Sequence, residues 1–168
     1  LTTVVAVEGE KGVTFAADSR ISWYAKHDGW LDKVVKNGKF TFGTAGALRA
    51  IQILQYAKLP EPPKTDDAKI LDRFVTKELV SSIKDAFRDV DSDADGVSDI
   101  IGSVRGRVYV FSSDGAWVRN PDGIYAVGSG APYALGALKA GASPKEAVKI
   151  ASIFDSGTND DVRVVKSR

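Results

Sequence analysis

Apolar residues in the first twenty positions fall in two runs, "TTVVAV" and "GVTFAAD", split by the turn-like "EGEKG". Both runs are rich in Val, Thr and Phe, which fit a pleated, half-buried surface, so residues 2–8 and 12–18 are expected to form two strands. "KFTFGT" at 39–44 alternates and predicts a further strand after the tight "KNGK" turn. From Ala47 the period changes: Leu48, Ile51, Leu54 and Tyr56 fit one helical face, and the helix is expected to stop before "LPEPPK". Residues 67–88 predict a longer helix with Ile70, Leu71, Phe74, Leu79, Val80, Ile83 and Phe87 as its apolar stripe. Strands are expected at 98–104, 107–113 and 124–129. Two helices follow in "APYALGALKAG" and "SPKEAVKIASIF", and "DVRVVK" at 161–166 predicts a last strand. Ser143, Pro144 and Glu146 give the last helix a capping box with a preformed first turn. Strands, two helices, strands, two helices and a strand suggest an α+β sandwich of sheets with helices outside, not a parallel βαβ sheet.

Composition narrows the chemistry. The chain has 168 residues, enough for a single domain with a substantial core, and its 43% apolar and 27% charged residues are those of a globular protein. The net charge of +1 offers no electrostatic case for nucleic acid or an acidic membrane surface. Without cysteine there are no disulfides and no Cys-based zinc site, and His27 is the sole histidine. No apolar run approaches a membrane span and the start lacks the features of a signal peptide, so a cytoplasmic protein is expected.

"DSDADGVSDIIG" begins like a calcium loop, with Asp91, Asp93 and Asp95 at positions 1, 3 and 5 and Gly96 at position 6. Its last position, where a bidentate Glu belongs, is Gly102, and the following segment reads as a strand. An acidic solvated loop is the expectation.

The opening also permits catalysis. A threonine at the N-terminus can act as a nucleophile with its own α-amine as base, because a free α-amine titrates near working pH. A nearby cation lowers the amine's pKa, and a carboxylate holds that cation; Lys33 and Asp18 are the candidates. An oxyanion hole needs an unobstructed backbone N–H, which "GTAGA" offers at Gly46. Taken singly, each residue has a structural reading: Asp18 as a turn cap, Lys33 as a solvated surface cation.

Taken together, the chain resembles a proteasome β-type subunit, and especially the HslV-like branch of the N-terminal-nucleophile hydrolases. "TTVVAVEGEKGVTFAADSR" matches that family's opening without a gap and places Thr2 on the nucleophile and Asp18 on the catalytic aspartate. "DKVVK" places Lys33 on the catalytic lysine, with an intervening loop one residue shorter than usual. "GTAGA" resembles the stretch that carries the oxyanion N–H. "IYAVGSGAPYALGAL" places Ser129 on the serine that contacts the threonine amine, and "FDSGTNDDVRVV" places Asp155 on the family's aspartate and Thr158 just beyond the final helix. Residues 55–97 match only in helical character.

The resemblance implies a four-layer αββα sandwich and a threonine peptidase inside a homo-oligomeric chamber of rings, often served by an ATPase unfoldase and acting on polypeptides. It implies that Ile21, Leu31, Val35, Thr44 and Leu48 line an apolar substrate pocket. No cofactor is implied for the chemistry, but backbone carbonyls at Ser152, Asp155 and Thr158 are implied as a site for Na⁺, Mg²⁺ or Ca²⁺. Leu1 stands against catalysis, since an acylated Thr2 nitrogen is not a base. Three explanations stay open: an initiator methionine written as Leu, the remnant of a trimmed propeptide, or a shift of the nucleophile's place to Leu1. The gapless spacing from Thr2 to Asp18 argues against the last. A noncatalytic scaffold subunit and a small-molecule amide hydrolase of the same superfamily are the alternative functions.

Overall fold

A computed structural model describes residues 2–23, 27–28 and 31–168. Strands β1 (Val4–Gly9) and β2 (Gly12–Asp18) form the hairpin expected from the opening, with Val4 opposite Ala17 and Gly9 opposite Gly12. Ser22–Trp23 (β3) pairs with His27–Asp28 (β4) in a small separate ribbon. Strands β5 (Val34–Asn37) and β6 (Phe40–Ala45) follow, then β7 (Asp99–Val104), β8 (Arg107–Phe111), β9 (Trp117–Val118), β10 (Ile124–Val127) and β11 (Val162–Ser167). One antiparallel sheet has the order β10-β1-β2-β11 and the other β5-β6-β7-β8-β9.

The two sheets pack face to face. Val4, Ala6, Val13, Phe15 and Ala17 meet Val34, Ala45, Ile101 and Val108 between them. Residues of β1 pointing the other way, such as Val5, pack under α4 (Ala131–Lys139) and α5 (Pro144–Phe154) with Ala134, Leu138, Val148 and Ala151. Both faces of β1 are therefore covered, which is why "VVAV" reads as an unbroken apolar run. The outer face of the second sheet, with Phe42, carries α1 (Leu48–Tyr56), α2 (Ala68–Phe74) and α3 (Val80–Asp89), which contribute Ile51, Leu54, Phe74, Ile83 and Phe87 to the same cluster. The result is the expected αββα sandwich.

Local details differ from the sequence pattern in two places. In α1, Ala50, Ile51 and Leu54 are buried, whereas Leu48 is partly exposed and Tyr56 points to solvent, five positions past Ile51 and off its face. The helix expected at 67–88 runs as α2 and α3 joined by a π-helical turn at Val75–Leu79, and Ile70 lies outside its buried stripe. The capping box on α5 forms as expected: Ser143 Oγ accepts from Glu146 N, and Glu146 Oε2 accepts from Ser143 N at 2.9 Å. In the acidic loop, Lys84 Nζ pairs with Asp95 at 2.8 Å, so the protein supplies a cation of its own there. Among the described residues no three His, Cys, Asp or Glu side chains converge as a metal site. No helix among them is long and apolar enough to cross a membrane.

Candidate active site

Strand register brings the candidate residues to one end of the sandwich. Thr2 and Thr3 precede β1, Asp18 ends β2, Lys33 precedes β5, Gly46 follows β6, and Ser129 follows β10. Asp155 caps the end of α5, and Thr158 lies between α5 and β11. Val4 opposite Ala17 and Val127, Val34 opposite Gly43, and Val162 opposite Asp18 fix this convergence.

Asp18 is at the centre and is 1% exposed. Its Oδ2 accepts from Lys33 Nζ at 3.0 Å and from Arg20 N at 3.1 Å, and its Oδ1 accepts from Thr3 N at 2.9 Å. Asn159 N approaches Oδ2 at 3.5 Å. One carboxylate thus ties the lysine to the main chain beside Thr2. Lys33 is 4% exposed, and burial pushes its ammonium below the ordinary lysine pKa; the Asp18 charge and hydrogen bond offset that only in part. Burying an ion pair is costly to stability. A residue pair kept this way next to the chain's start is a candidate for chemistry.

A second arm reaches the Thr2 nitrogen from the other side. Thr2 N donates to Ser129 Oγ at 3.2 Å, and Ser129 Oγ donates to Asp155 Oδ2 at 2.8 Å. Thr158 Oγ1 donates to the same oxygen at 2.5 Å, so its single proton is spent there and Thr3 Oγ1 donates to Thr158 Oγ1 at 2.7 Å. Partial burial pushes the Asp155 carboxyl up, but the Thr158 and Ser129 hydroxyls and Gly157 N–H outweigh this and hold it below the usual carboxylate range. Gly128 must be glycine: its φ is +97°, and a Cβ would come 2.0 Å from the Thr2 carbonyl oxygen. The backbone of the Gly-Ser-Gly bend is therefore pressed directly against Thr2.

Gly46 has a φ of +122°, and among the described residues its N–H has no intramolecular acceptor, whereas Ala47 N already donates to Ser98 Oγ at 3.0 Å. Of the residues expected to line a substrate pocket, Ile21, Val35 and Thr44 are buried, Leu31 is partly buried against the cluster containing Val35, and Leu48 is 36% exposed. Thr44 N donates to Lys33 O at 3.1 Å, which fixes Thr44 beside the lysine. Ser152, Asp155 and Thr158 cluster at the end of α5. There the Ser152 hydroxyl donates to Lys149 O and the Asp155 carbonyl accepts from Thr158 N at 3.1 Å. Leu1 lies outside the described residues.

The backbone contributions of Thr3, Arg20 and Asn159 to Asp18 leave no side-chain signal in the sequence. Thr158 carries one: a hydroxyl residue three positions after Asp155 can reach back to that carboxylate.

No family model matches the chain. Solved structures do. Eukaryotic HslV from Trypanosoma brucei is 21% identical, with a TM-score of 0.68 over 98% of this chain and 99% of that one. BPH from Thiobacillus denitrificans, in complex with epoxomicin, is 21% identical, with a TM-score of 0.73 over 99% and 100%. The Gly-1 mutant of Anbu from Hyphomicrobium sp. strain MC1 is 17% identical, with a TM-score of 0.69 over 100% and 82%. At this level of identity the matches show the fold: the chain is folded like HslV and BPH.

Proposed function

We propose that the chain is a threonine peptidase subunit of a self-compartmentalising protease, active once Leu1 has been removed. The observation that carries this reading is the buried Asp18–Lys33 pair, bonded through Asp18 to the main chain beside Thr2, while Ser129 holds the Thr2 nitrogen from the opposite side.

In the mature chain the free α-amine of Thr2 takes the proton from Oγ1 as Oγ1 attacks the substrate carbonyl. The positive charge of Lys33 favours the neutral form of that amine, and Asp18 holds the lysine in place. The tetrahedral oxyanion receives the N–H of Gly46. The protonated amine then gives its proton to the leaving amine of the substrate, and the C–N bond breaks. An acyl ester on Oγ1 is left. The amine next takes a proton from water, water attacks the ester, and Oγ1 regains a proton as the carboxylic acid departs. Ser129 and Asp155 orient the amine through both steps.

Ile21, Leu31, Val35, Thr44 and Leu48 carry no charge, so a charged side chain entering among them would lose water without gaining a partner. Apolar residues are the proposed preference on the acyl side of the cut bond. Assembly is supported by an exposed apolar face on α4 and α5, where Tyr133 stacks on Phe154 at 5.3 Å beside Ile150 and Ile153. A second copy of the chain is the proposed occupant of that face. A cation at the α5 end is a subsidiary proposal, tested by exhaustive chelation in a buffer free of sodium: activity and melting temperature both fall if the carbonyls hold an ion, and neither moves if they do not.

A noncatalytic subunit of the same fold is the second reading, and its support is the presence of Leu1 ahead of Thr2 in the sequence. Turnover of an unstructured peptide separates the two. The mature chain should cleave it, Thr2→Ala should fold normally and lose cleavage, and epoxomicin should label the mature chain but not the variant. Wild-type turnover by Thr2→Ala would refute the peptidase reading.

A further inference from the structure

Two chains of hydrogen bonds converge on Thr2, one through Asp18 and Lys33 and one through Ser129, Asp155 and Thr158, and Thr3 belongs to both. Its main-chain N–H donates to Asp18 Oδ1 at 2.9 Å, and its carbonyl accepts from Asp18 N at 3.3 Å. Its hydroxyl donates to Thr158 Oγ1 at 2.7 Å, while Thr158 directs its own proton at Asp155 Oδ2.

Two observations set this hydroxyl apart from ordinary strand packing. First, Thr3 is 0% exposed and runs into the buried Val4 and Val5. Valine has the same branched shape and costs less to take out of water, so burial alone does not call for a hydroxyl here. Second, Gly130 has a φ of −84°, which any residue adopts, yet a Cβ there would collide with Thr3 Oγ1 and lie 3.1 Å from Thr158 Oγ1. The second glycine of the Gly-Ser-Gly bend thus makes room for a pair of hydroxyls.

We propose that Thr3 is a positioning residue of the peptidase site, its hydroxyl setting the Thr158–Asp155–Ser129 chain that orients the Thr2 amine while its main chain is tied to Asp18. This rests on the peptidase reading above. Thr3 acts at one remove from the chemistry. Because Thr158 Oγ1 accepts the Thr3 proton, its own proton is fixed on Asp155, and Asp155 held in this way keeps Ser129 on the Thr2 nitrogen.

Thr3→Ser and Thr3→Ala both lose the γ-methyl and differ by the hydroxyl alone, so comparing them separates the hydroxyl from packing. Both are measured in the mature chain for turnover of an unstructured peptide, with melting temperature as the check on folding. The Asp155 carboxyl is titrated in both by carbon-13 NMR, its signal assigned with Asp155→Asn. The kcat of Thr3→Ala should be about tenfold or more below that of Thr3→Ser with KM within about twofold, and Thr3→Ser should recover most of the wild-type kcat. Thr3→Val, which keeps the buried volume, should show the same loss against wild type. Burial pushes the Asp155 carboxyl up, and the Thr158 hydroxyl heads the hydrogen bonds that hold it below the usual range, so it should titrate higher in Thr3→Ala than in Thr3→Ser. Equal kcat in the two variants of an active chain, a difference confined to KM, or the same Asp155 titration in both would each overturn the proposal. A wild-type mature chain that cleaves no peptide would instead overturn the peptidase reading, and the carboxyl titration, which needs no turnover, still decides whether the Thr3 hydroxyl governs Asp155.

Discussion

Replacing Asp18 by Asn removes one charge and little volume, and its consequences can be followed through the hydrogen bonds. The Lys33 ammonium loses its counter-ion in a site where it is 4% exposed. If Oδ1 is retained as the acceptor for Thr3 N, the new amide group faces Lys33 Nζ and Arg20 N, both of them donors. Breaking a buried pair from one side costs roughly 3–5 kcal/mol, and the donor facing Arg20 N adds about 1–3 kcal/mol. Lys33 can escape the first penalty by releasing its proton. Neutralising an ordinary lysine near pH 7 costs about 5 kcal/mol, and near pH 9.5 only about 1 kcal/mol. The sign follows from proton counting. Burial already lowers the Lys33 pKa in the folded wild-type chain, so the unfolded chain binds more protons between that lowered value and the ordinary one, and stability rises with pH across this window. Loss of Asp18 widens the window downward. The deficit of Asp18→Asn against wild type should therefore be several kcal/mol near pH 7 and shrink by about half near pH 9.5. Urea unfolding at matched protein concentration, followed by tryptophan fluorescence, measures both. A variant within about 1 kcal/mol of wild type near pH 7, or a deficit independent of pH, would refute the electrostatic account of this pair.

Further outcomes follow from individual contacts. Gly128→Ala should destabilise the chain and abolish activity, since its Cβ would come 2.0 Å from the Thr2 oxygen and the backbone is at a φ of +97°; wild-type activity in this variant would contradict the packing of the bend on Thr2. Asp155→Asn should lower kcat with KM little changed, because it loosens Ser129 without touching the apolar lining, and a pure KM effect would count against that role. Burial pushes the Tyr109 phenol up to about 12, against a partly opposing hydrogen bond from Arg107. The folded chain then holds a proton that the unfolded chain releases, so stability should fall as pH rises from about 10 through about 12, and ultraviolet titration should show this ring ionising late.

Much of the fold was legible because the period of the apolar residues changed wherever the element type changed. Strands β1 and β2 stood out because both faces of their sheet are covered, by the second sheet and by α4 and α5. Strand β9 was not legible, since two residues carry no period. Nor was the π-helical turn. Leu71, Val75, Leu79, Ile83 and Phe87 recur every four residues, a spacing that drifts about 40° per step around an ideal helix, and the wider turn takes up part of the drift. The residue list drawn from the opening, "DKVVK" and the Gly-Ser-Gly bend names side chains that the fold brings together. Its backbone half, at Thr3, Arg20 and Asn159, depends on chain geometry that no residue type encodes.

The central claim is that Thr2, freed of Leu1, is the nucleophile. Intact mass spectrometry of the active protein, treated with an electrophile that captures both the hydroxyl and the free amine of an N-terminal threonine, tests it directly. The account predicts a chain beginning at Thr2 with one adduct, and no adduct on Thr2→Ala. Active protein that retains Leu1, or an adduct that persists in Thr2→Ala, would contradict it.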